Sequence, residues 1–252
     1  LRSPDACYAS RRLSMGVIRT EKSEAVETVL ITGASRGIGL ELTRQFLEQG
    51  YNVVSTYRNR ASPELTALSK SASLNLYSLE VTDINSIAEL ANALSNLSID
   101  VLINNAGVIG PDEQALETIE LDGWMHTFAV NTIAPVMVSR ALLGSLKKSS
   151  NPRIIAVSSQ MGALSRQSTG MYAYRSSKAA LNKAMQVLAL ELSDSGIIVC
   201  PIHPGWVKTD MGGPNADISV SQSAQGITNL VRNLKMKQSG KFLTWQGEEH
   251  AW

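Results

Sequence analysis

The chain contains few cysteines and histidines, and their positions exclude two common kinds of site. The two cysteines, Cys7 and Cys200, lie far apart in the 252-residue sequence, so neither a disulfide framework nor a paired metal-ligand motif is available. The three histidines, His126, His203 and His250, are isolated from one another and from the cysteines. We therefore expect no metal site, and a reducing compartment such as the cytoplasm.

The sequence also lacks an excess of one charge and a long apolar run. Its 23 basic and 22 acidic side chains leave a formal net charge of +1, which offers no general attraction to nucleic acid or to an anionic membrane. The apolar runs are all much shorter than the roughly 20 residues that span a bilayer. We therefore expect no nucleic acid and no membrane as a partner, and a small, neutral molecule as the substrate.

Residues 1–27 differ from the rest of the chain because arginines and serines predominate there. Four arginines stand among serines, and Asp5 is the only acid before Glu21. This composition is typical of an organelle transit peptide, but a disordered leader, an added tag or a truncated native segment would also fit. We interpret residues 1–27 as a leader and place the folded domain at residues 28–252.

From residue 28 onward, short β-branched runs alternate with longer amphipathic segments, the pattern of a parallel sheet covered by helices on both faces. The length, with 44% hydrophobic residues, suits one large core. We predict a single doubly wound α/β domain with about seven strands. The predicted strands are residues 28–32, 52–56, 74–79, 101–104, 153–158, 197–202 and 241–244, and the main helices are residues 39–49, 84–94, 121–146, 172–193 and 221–234. Residues 208–220, which have no apolar period, are predicted to form a mobile loop.

A glycine-rich turn directly follows the first predicted strand and opens the first long helix. Its sequence, TGASRGIG, occupies residues 32–39 and carries Gly33, Gly37 and Gly39. Glycines let the backbone approach a pyrophosphate closely, and the N-terminus of the following helix offers unpaired N–H groups. The turn therefore predicts a dinucleotide site. Its spacing only partly matches the general Rossmann fingerprint, so a purely structural turn stays open at this point.

The end of the second predicted strand indicates which dinucleotide is bound. An acid at this place would hydrogen-bond the ribose 2′-hydroxyl of NAD, but the strand is followed by Tyr57 and Arg58, and the glycine turn itself carries Arg36. Two guanidiniums can flank a 2′-phosphate. The sequence therefore favours NADP(H) over NAD(H), with two solvated surface arginines as the alternative.

A tyrosine and a lysine stand four residues apart at the start of a predicted helix. The segment YRSSK runs from Tyr174 to Lys178, and residues four apart share a helix face. A tyrosine, with a pKa of about 10, is a poor base near neutrality unless its anion is stabilised, which a nearby ammonium can do. The pair indicates acid/base catalysis, although a single pair at this spacing also arises by coincidence.

Together, TGASRGIG (residues 32–39), NNAG (residues 104–107) and YRSSK (residues 174–178) make the chain resemble the short-chain dehydrogenase/reductase family over about residues 28–252. The resemblance implies a Rossmann-like domain, bound NAD(P)(H) and an Asn-Ser-Tyr-Lys tetrad, here Asn131, Ser159, Tyr174 and Lys178. It implies that Asn131 helps to hold a water in the proton relay and that Ser159 orients the substrate carbonyl as a hydrogen-bond donor. Ser158 is then structural, and residues 162–170 form an extended loop that borders the substrate.

The resemblance also implies a set of cofactor-binding residues. Thr209 is expected at the nicotinamide, and the segment from Asn104 to Gly107 at the adenosine side. Glu80 stands where family members usually carry an aspartate near the adenine, so the expected contact there is the backbone N–H of Val81. The full implied set is Gly33, Ser35, Arg36, Gly37, Ile38, Gly39, Arg58, Val81, Asn104, Ala106, Gly107, Tyr174, Lys178, Pro204, Gly205, Val207 and Thr209.

A finer resemblance points to the branch that contains sniffer-like carbonyl reductases and the bacterial C-factor, through MYAYR (residues 171–175), HPGWV (residues 203–207) and the last residues of the chain. It leaves the natural substrate and the physiological reaction direction open. Six large apolar residues could form pocket walls or core packing: Met161, Leu164, Met171, Trp206, Met211 and Trp252. The resemblance further implies a homodimer or homotetramer that forms through residues 121–146 and 172–193.

We therefore expect an enzyme that reduces an aldehyde, ketone or quinone with NADPH, or catalyses the reverse oxidation, with Tyr174 as the acid/base. Lys178 would bind the nicotinamide ribose and tune the tyrosine. The alternative is an NADP(H)-binding regulatory or signalling protein of the C-factor type with little catalysis. Such proteins often lack the tyrosine or the lysine, both of which are present here.

Overall fold

The computed structural model describes residues 26–252, which form one sheet of seven parallel strands. The strands are β1 (Thr28–Ile31), β2 (Asn52–Tyr57), β3 (Leu74–Ser78), β4 (Val101–Asn104), β5 (Arg153–Val157), β6 (Ile198–His203) and β7 (Leu243–Thr244). Their order across the sheet is β3-β2-β1-β4-β5-β6-β7, and every neighbouring pair is parallel. The predicted doubly wound α/β fold with seven strands is therefore confirmed.

Eight α-helices connect and cover these strands in the described part of the chain. They are α1 (Gly37–Glu48), α2 (Pro63–Leu68), α3 (Ile84–Ala93), α4 (Leu121–Phe128), α5 (Ala134–Ala141), α6 (Leu143–Leu146), α7 (Tyr172–Glu191) and α8 (Val220–Asn233). The predictions for α1, α3, α7 and α8 agree to within about two residues at each end. The short helix α2 was not predicted.

The predicted helix over residues 121–146 is helical almost throughout, but it is divided at two places. Residues Ala129–Ile133 form a π-helical turn between α4 and α5, and Leu142 separates α5 from α6. Pro135 lies in the first turn of α5. Proline has no backbone N–H, and its ring clashes with the carbonyl of the residue four positions earlier, here Asn131. The wider turn accommodates this residue, and it places the buried Asn131 side chain towards the site.

Two apolar layers hold the helices against the two faces of the sheet. On one face, Leu42 and Phe46 of α1 pack with Ile227 and Val231 of α8. On the other face, side chains of α3, α5 and α7 form the second layer, which includes Leu90, Val138, Leu181 and Met185. Burial of such side chains contributes about 1.5–3 kcal/mol each relative to exposure, so both layers fix the helices that carry site residues.

A buried arginine joins the first residues of the described chain to the centre of the sheet. Arg153, at the start of β5, is 1% exposed; its guanidinium pairs with Glu27 and donates to the carbonyl of Val231 at 3.1 Å. The backbone of Glu27 also accepts a hydrogen bond from Asn52. Glu27 therefore contacts the folded domain, although the sequence assigned it to the leader. The predictions for residues 1–25 lie outside the described residues.

Several large apolar side chains on α4 and α7 and in the turn that follows α4 are exposed. They are Leu121, Met125, Ile133, Val187 and Leu190. They lie in the two segments through which a homodimer or homotetramer was expected to form. This assembly stays a prediction. None of the described helices has the length and hydrophobicity that a membrane crossing requires.

The order of the strands creates a crevice at one edge of the sheet. From β1 the sheet extends through β2 and β3 in one direction, and from β4 through β5, β6 and β7 in the other. At such a switch point the connections after the two central strands diverge and leave space beyond their carboxyl ends. Loops that contain many of the predicted site residues follow β1, β4, β5 and β6, so they converge on this crevice.

Candidate active site

The glycine-rich turn after β1 has the backbone geometry that close approach of an anion requires. Gly33 and Gly37 have φ values of +69° and +54°, in the left-handed region that favours glycine. The N-cap residue of α1 is Arg36, and no side-chain hydrogen bond caps the helix there within the described residues, so its first amides can serve a ligand. The Ser35 hydroxyl oxygen is buried and has no hydrogen-bond partner within residues 26–252. This cradle fits a phosphate group.

Asn105 connects this turn to the end of β4. Its Nδ2 donates to the carbonyl oxygens of Thr32 and Gly33 at 2.9 and 3.0 Å. In return, the Thr32 hydroxyl accepts from the amides of Asn105 and Ala106 at 3.0 and 3.1 Å. Asn105 lies within the NNAG motif but was not among the predicted site residues. It is a positioning residue that fixes the turn relative to the neighbouring strand.

Two residues expected at the adenosine side are turned towards the protein. The Asn104 side chain is buried and donates to the Ser139 hydroxyl at 3.1 Å, so only its backbone can serve a cofactor. The Glu80 carboxylate accepts from the amide and the hydroxyl of Thr82 at 3.1 and 2.8 Å. The Glu80 side chain, whose contact with the adenine was in doubt, is therefore hydrogen-bonded within the protein. The backbone N–H of Val81 is the donor of this segment that remains for a cofactor.

The two arginines that predicted the cofactor type are both exposed, but their surroundings differ. Arg36 forms an ion pair with Asp210 at 3.0 Å, and both side chains are about 80% exposed. Arg58 follows β2 and forms no ion pair within the described residues. The partner of Arg36 was not predicted. Asp210 joins the loop after β6 to the glycine-rich turn.

The segment after β6, which was predicted to start a mobile loop, contains several internal hydrogen bonds. Val207 pairs with Ile218 as an isolated bridge, and the Trp206 indole N–H donates to the carbonyl of Gly212 at 2.8 Å. The Thr209 hydroxyl accepts from the amide of Gly212 at 3.0 Å. A Cβ at Gly37 would lie 3.4 Å from the Thr209 methyl group. Thr209 is thus next to the glycine-rich turn, as a contact with a shared cofactor requires, and Pro204 and Gly205 line the same cleft.

Tyr174 and Lys178 lie on one face of α7 and are almost fully buried. Their exposed fractions are 8% and 5%, and the Lys178 ammonium lies 5.8 Å from the centre of the tyrosine ring. Lys178 Nζ donates to the carbonyl of Val157 at the end of β5, at 2.8 Å. A Cβ at Gly107 would lie 3.6 Å from Lys178 Nζ. The predicted pair therefore sits at the carboxyl ends of β4 and β5.

The surroundings of Tyr174 keep its phenol protonated near neutral pH. Burial raises the pKa of Tyr174, and hydrogen bonding to Ser159 opposes this increase. Ser159 is thus a hydrogen-bond partner that lowers the pKa of Tyr174, while Lys178, which was predicted to stabilise the phenolate, lies 5.8 Å from the tyrosine ring. A buried phenol beside a serine hydroxyl can donate a proton to an oxygen that gains negative charge.

The two serines after β5 have different environments. Ser158 is 1% exposed, and its hydroxyl donates to Asn182 Oδ1 at 2.5 Å. Ser159 begins the 3₁₀ turn Gln160–Gly162, and its oxygen accepts from the Met161 amide at 3.1 Å. Both line the cleft, and the Ser159 hydroxyl is the one whose hydrogen bonding lowers the pKa of Tyr174. The role of Ser159 as the serine that orients the substrate stays a prediction.

Asn131 uses its whole side-chain amide to connect the loop after β4 with α7. Its Oδ1 accepts from the amide of Val108 at 2.9 Å, and its Nδ2 donates to the carbonyl of Val108 and to the hydroxyl of Ser177 at 2.8 and 3.0 Å. The Ser177 hydroxyl in turn donates to the carbonyl of Tyr174 at 2.8 Å. Through these bonds, Asn131 positions the first turns of α7.

Gln114 is a further positioning residue, which the sequence did not reveal. Met171, just before α7, has a φ of 54° and no side-chain cap. Instead, the buried Gln114 Oε1 accepts from the Tyr174 amide at 3.0 Å, and its Nε2 donates to the carbonyls of Ile109 and Pro111 at 2.9 Å. A side chain 60 residues away thus performs the task of a helix N-cap at Tyr174.

A cleft of about 430 Å³ contains Tyr174 and Ser159 and extends to the loop after β6. Of the six apolar residues that the sequence offered as pocket walls, Met161, Met171, Trp206 and Met211 line it. Leu164 and Trp252 do not. Leu164 is 84% exposed, and Trp252 packs against Phe242 with ring centres 5.8 Å apart. The loop over residues 162–170 borders the cleft through Arg166 and Ser168, as expected.

Lys178 should make the stability of the protein depend on pH. Burial lowers the pKa of Lys178 from 10.5 to about 8. Above 10.5 the amine is neutral in the folded and unfolded chain, whereas below about 8 the folded state must hold a buried ammonium, so stability is lost as the pH falls through this range. The loss corresponds to about 3 kcal/mol. Urea titrations measure the free energy of unfolding of the wild type and of Lys178→Met. The wild-type value minus the variant value should be smaller at pH 8 than at pH 10.5 by about this amount. A pH-independent difference would contradict the assignment.

Comparisons with known proteins agree with this geometry. The family model described as short chain dehydrogenase matches residues 27–219. The chain is 40% identical over 155 residues to C-signal of Myxococcus xanthus. The aligned residues cover 61% of this chain and 93% of that protein.

Two solved structures share the fold across almost their whole length. Carbonyl reductase Sniffer of D. melanogaster has a TM-score of 0.86 at 32% identity, covering 90% of this chain and 100% of the other. The NADPH-bound carbonyl reductase from chicken fatty liver has a TM-score of 0.84 at 35% identity, covering 90% and 99%. The chain therefore belongs to the short chain dehydrogenase family of oxidoreductases.

Proposed function

We propose that the protein reduces the carbonyl group of a small aldehyde, ketone or quinone to an alcohol with NADPH, or catalyses the reverse oxidation. The observation that carries this proposal is the buried Tyr174 phenol next to Ser159 in the cleft, with the Lys178 ammonium 5.8 Å from its ring. The similarity to carbonyl reductases, one of them with NADPH bound, supports it.

The residues of the chain divide the work around the carbonyl oxygen. Ser159 donates a hydrogen bond to this oxygen, which orients the substrate and stabilises the negative charge that develops there. Tyr174 donates its phenolic proton to the same oxygen. Lys178, held by the carbonyl of Val157, places a positive charge near the resulting phenolate and favours it.

The residues around the glycine-rich turn fit a dinucleotide phosphate. The unpartnered Ser35 hydroxyl, the uncapped N-terminus of α1 and the positive-φ glycines provide donors and close access. Thr209 lies next to this turn, and Gly107 lies next to Lys178. Both residues therefore belong to the proposed cofactor site. When bound, the reduced nicotinamide supplies the hydride to the carbonyl carbon.

Arg36 and Arg58 are proposed to select NADP(H) over NAD(H). In the double variant Arg36→Ser, Arg58→Asp, NADPH affinity should fall about 100-fold, because charge-assisted hydrogen bonds contribute about 1.5–3 kcal/mol each. NADH affinity should change less than about threefold, since NADH lacks the 2′-phosphate. Fluorescence titration of both nucleotides measures this difference. Arg60→Ser, at another exposed arginine of the same loop, is the matched control, and an equal loss for both nucleotides would refute the assignment.

A regulatory role is the second candidate, because C-signal is 40% identical to this chain. In that case the protein would bind NADPH but turn over little substrate. NADPH consumption with a panel of aldehydes, ketones and quinones separates the two candidates. Turnover that Tyr174→Phe abolishes supports the reductase, whereas tight NADPH binding without turnover on any compound supports the regulator.

A further inference from the structure

Two arginines line the part of the cleft that the proposed reaction leaves unused. Arg166 belongs to the loop that follows the turn Gln160–Gly162, and Arg175 directly follows Tyr174 on α7. Both line the cleft that contains Tyr174 and Ser159. Neither is needed to polarise a carbonyl group or to supply a proton, so their presence requires a separate explanation.

The positive charge of these arginines is not neutralised in the described part of the chain. Neither forms an ion pair there, and the cleft wall contains no aspartate or glutamate. Asp210 stands between two wall residues, but its carboxylate is paired with Arg36. Burial lowers the pKa of His203, another wall residue, to about 4, with help from the charges of His250 and Arg166. His203 is therefore neutral near pH 7, and the two guanidiniums determine the charge of the wall.

Neutral partners hold both guanidiniums and leave most of their donors unused. Arg166 Nη1 donates to Gln160 Oε1 at 2.6 Å, and Arg175 Nη2 donates to the Ser168 hydroxyl at 2.8 Å. The Nε of Arg175 is buried and has no hydrogen-bond partner among the described residues, so the terminal nitrogens are the donors that remain for a ligand. A guanidinium carries five N–H donors in a planar fork that matches the two oxygens of a carboxylate. The cleft therefore offers donors for an anionic, planar group.

We propose that the substrate is an aldehyde or ketone that carries a carboxylate, which Arg166 and Arg175 bind while the carbonyl lies at Ser159 and Tyr174. This inference rests on the proposed reductase function. The net charge of +1 led to the expectation of a neutral substrate, but the local distribution of charge in a cleft, rather than the total, selects a ligand. Met161, Met171 and Trp206 provide apolar surface for the carbon skeleton between the two polar ends.

A matched pair of substrates tests this inference. In the wild type with NADPH, para-carboxybenzaldehyde should have a kcat/KM about 100-fold above that of its methyl ester, mainly through a lower KM. Arg166→Gln and Arg175→Gln should each reduce the value for the carboxylate about tenfold and change the value for the ester less than about twofold. Arg140→Gln, at an exposed arginine of α5, should leave both values unchanged. Equal values for acid and ester in the wild type, or equal losses in the variants, would overturn the proposal.

A binding measurement separates this inference from the proposed function. Calorimetry with the Tyr174→Phe variant and NADP⁺ compares para-(hydroxymethyl)benzoate with its methyl ester. Tighter binding of the benzoate, lost when Arg166→Gln is added, supports the carboxylate site. Equal binding of the two compounds overturns it. If the wild type turns over no carbonyl compound, the reductase function fails, while this binding result still decides the assignment of the two arginines.

Discussion

Replacing Tyr174 with phenylalanine is expected to lower kcat for carbonyl reduction about a thousandfold and to leave NADPH affinity within about threefold of the wild type. Burial raises the pKa of this phenol and so keeps it protonated. Because the phenol is the proposed proton donor, its loss leaves proton transfer to water. The backbone of residue 174 stays in place, because Gln114 accepts a hydrogen bond from its amide and Ser177 donates one to its carbonyl. Steady-state kinetics and nucleotide fluorescence titration measure the two effects separately.

A neighbouring tyrosine provides the matched control. Tyr172 begins α7 two residues earlier, is 40% exposed and packs against Trp124. Tyr172→Phe removes the same hydroxyl group from the same helix and should change kcat less than about twofold, as expected for an exposed surface position. Comparable losses in the two variants would show that the phenol of Tyr174 has no special part in the reaction.

Much of the site was predictable because its motifs are local. The spacing of Tyr174 and Lys178 places both on one helix face whatever the rest of the fold. Strand, glycine turn and helix follow each other directly at residues 28–48. Parallel strands then bring the loops after β1, β4, β5 and β6 to one edge of the sheet. Family resemblance added Asn131 and Ser159, which no local pattern would have identified.

Two local features of the sequence mark helix boundaries that apolar periodicity does not show. Pro135 lies inside the helix predicted over residues 121–146, and proline interrupts the interior of a helix. At the missed helix α2, Ser62 accepts from the amide of Leu65 at 3.2 Å, and Pro63 occupies the first position. A serine followed by a proline is a typical helix start. At both places, the residues that start and stop helices determine the boundary, and apolar periodicity does not.

Other parts of the site depend on contacts between residues that are far apart in the sequence. No periodic pattern in a single sequence predicts such contacts. Gln114 reaches the Tyr174 amide across 60 residues, and Asp210 reaches Arg36 across 174. The cleft arginines Arg166 and Arg175 stand in an exposed loop and on a helix, where arginines are usually solvated. Only the folded arrangement shows that they face the same cleft without a carboxylate between them.

Gly39 should be the position in the cofactor loop that is least tolerant of a side chain. A Cβ at this residue would lie 2.4 Å from the carbonyl oxygen of Gly33 and 2.5 Å from Asn105 Nδ2, which are partners in the hydrogen bond that fixes the glycine-rich turn. In Gly39→Ala the turn must therefore move away from β4. We expect a loss of about 1–3 kcal/mol in the free energy of unfolding, typical of overpacking. NADPH affinity should fall about 100-fold, because two or more charge-assisted hydrogen bonds are misplaced.

Gly144 in α6 is the matched control, because among the described residues no atom beyond its chain neighbours and its own helix backbone lies within 4 Å of the position where its Cβ would be. Gly144→Ala should leave NADPH affinity unchanged and stabilise the protein by up to about 1 kcal/mol, since alanine has the higher helix propensity and restricts the unfolded chain. Urea unfolding without nucleotide and fluorescence titration with NADPH separate the effects on folding and on binding. If Gly39→Ala bound NADPH as tightly as Gly144→Ala does, the backbone of the turn would not be what holds the pyrophosphate, and the contacts would have to come from side chains such as Ser35 and Arg36.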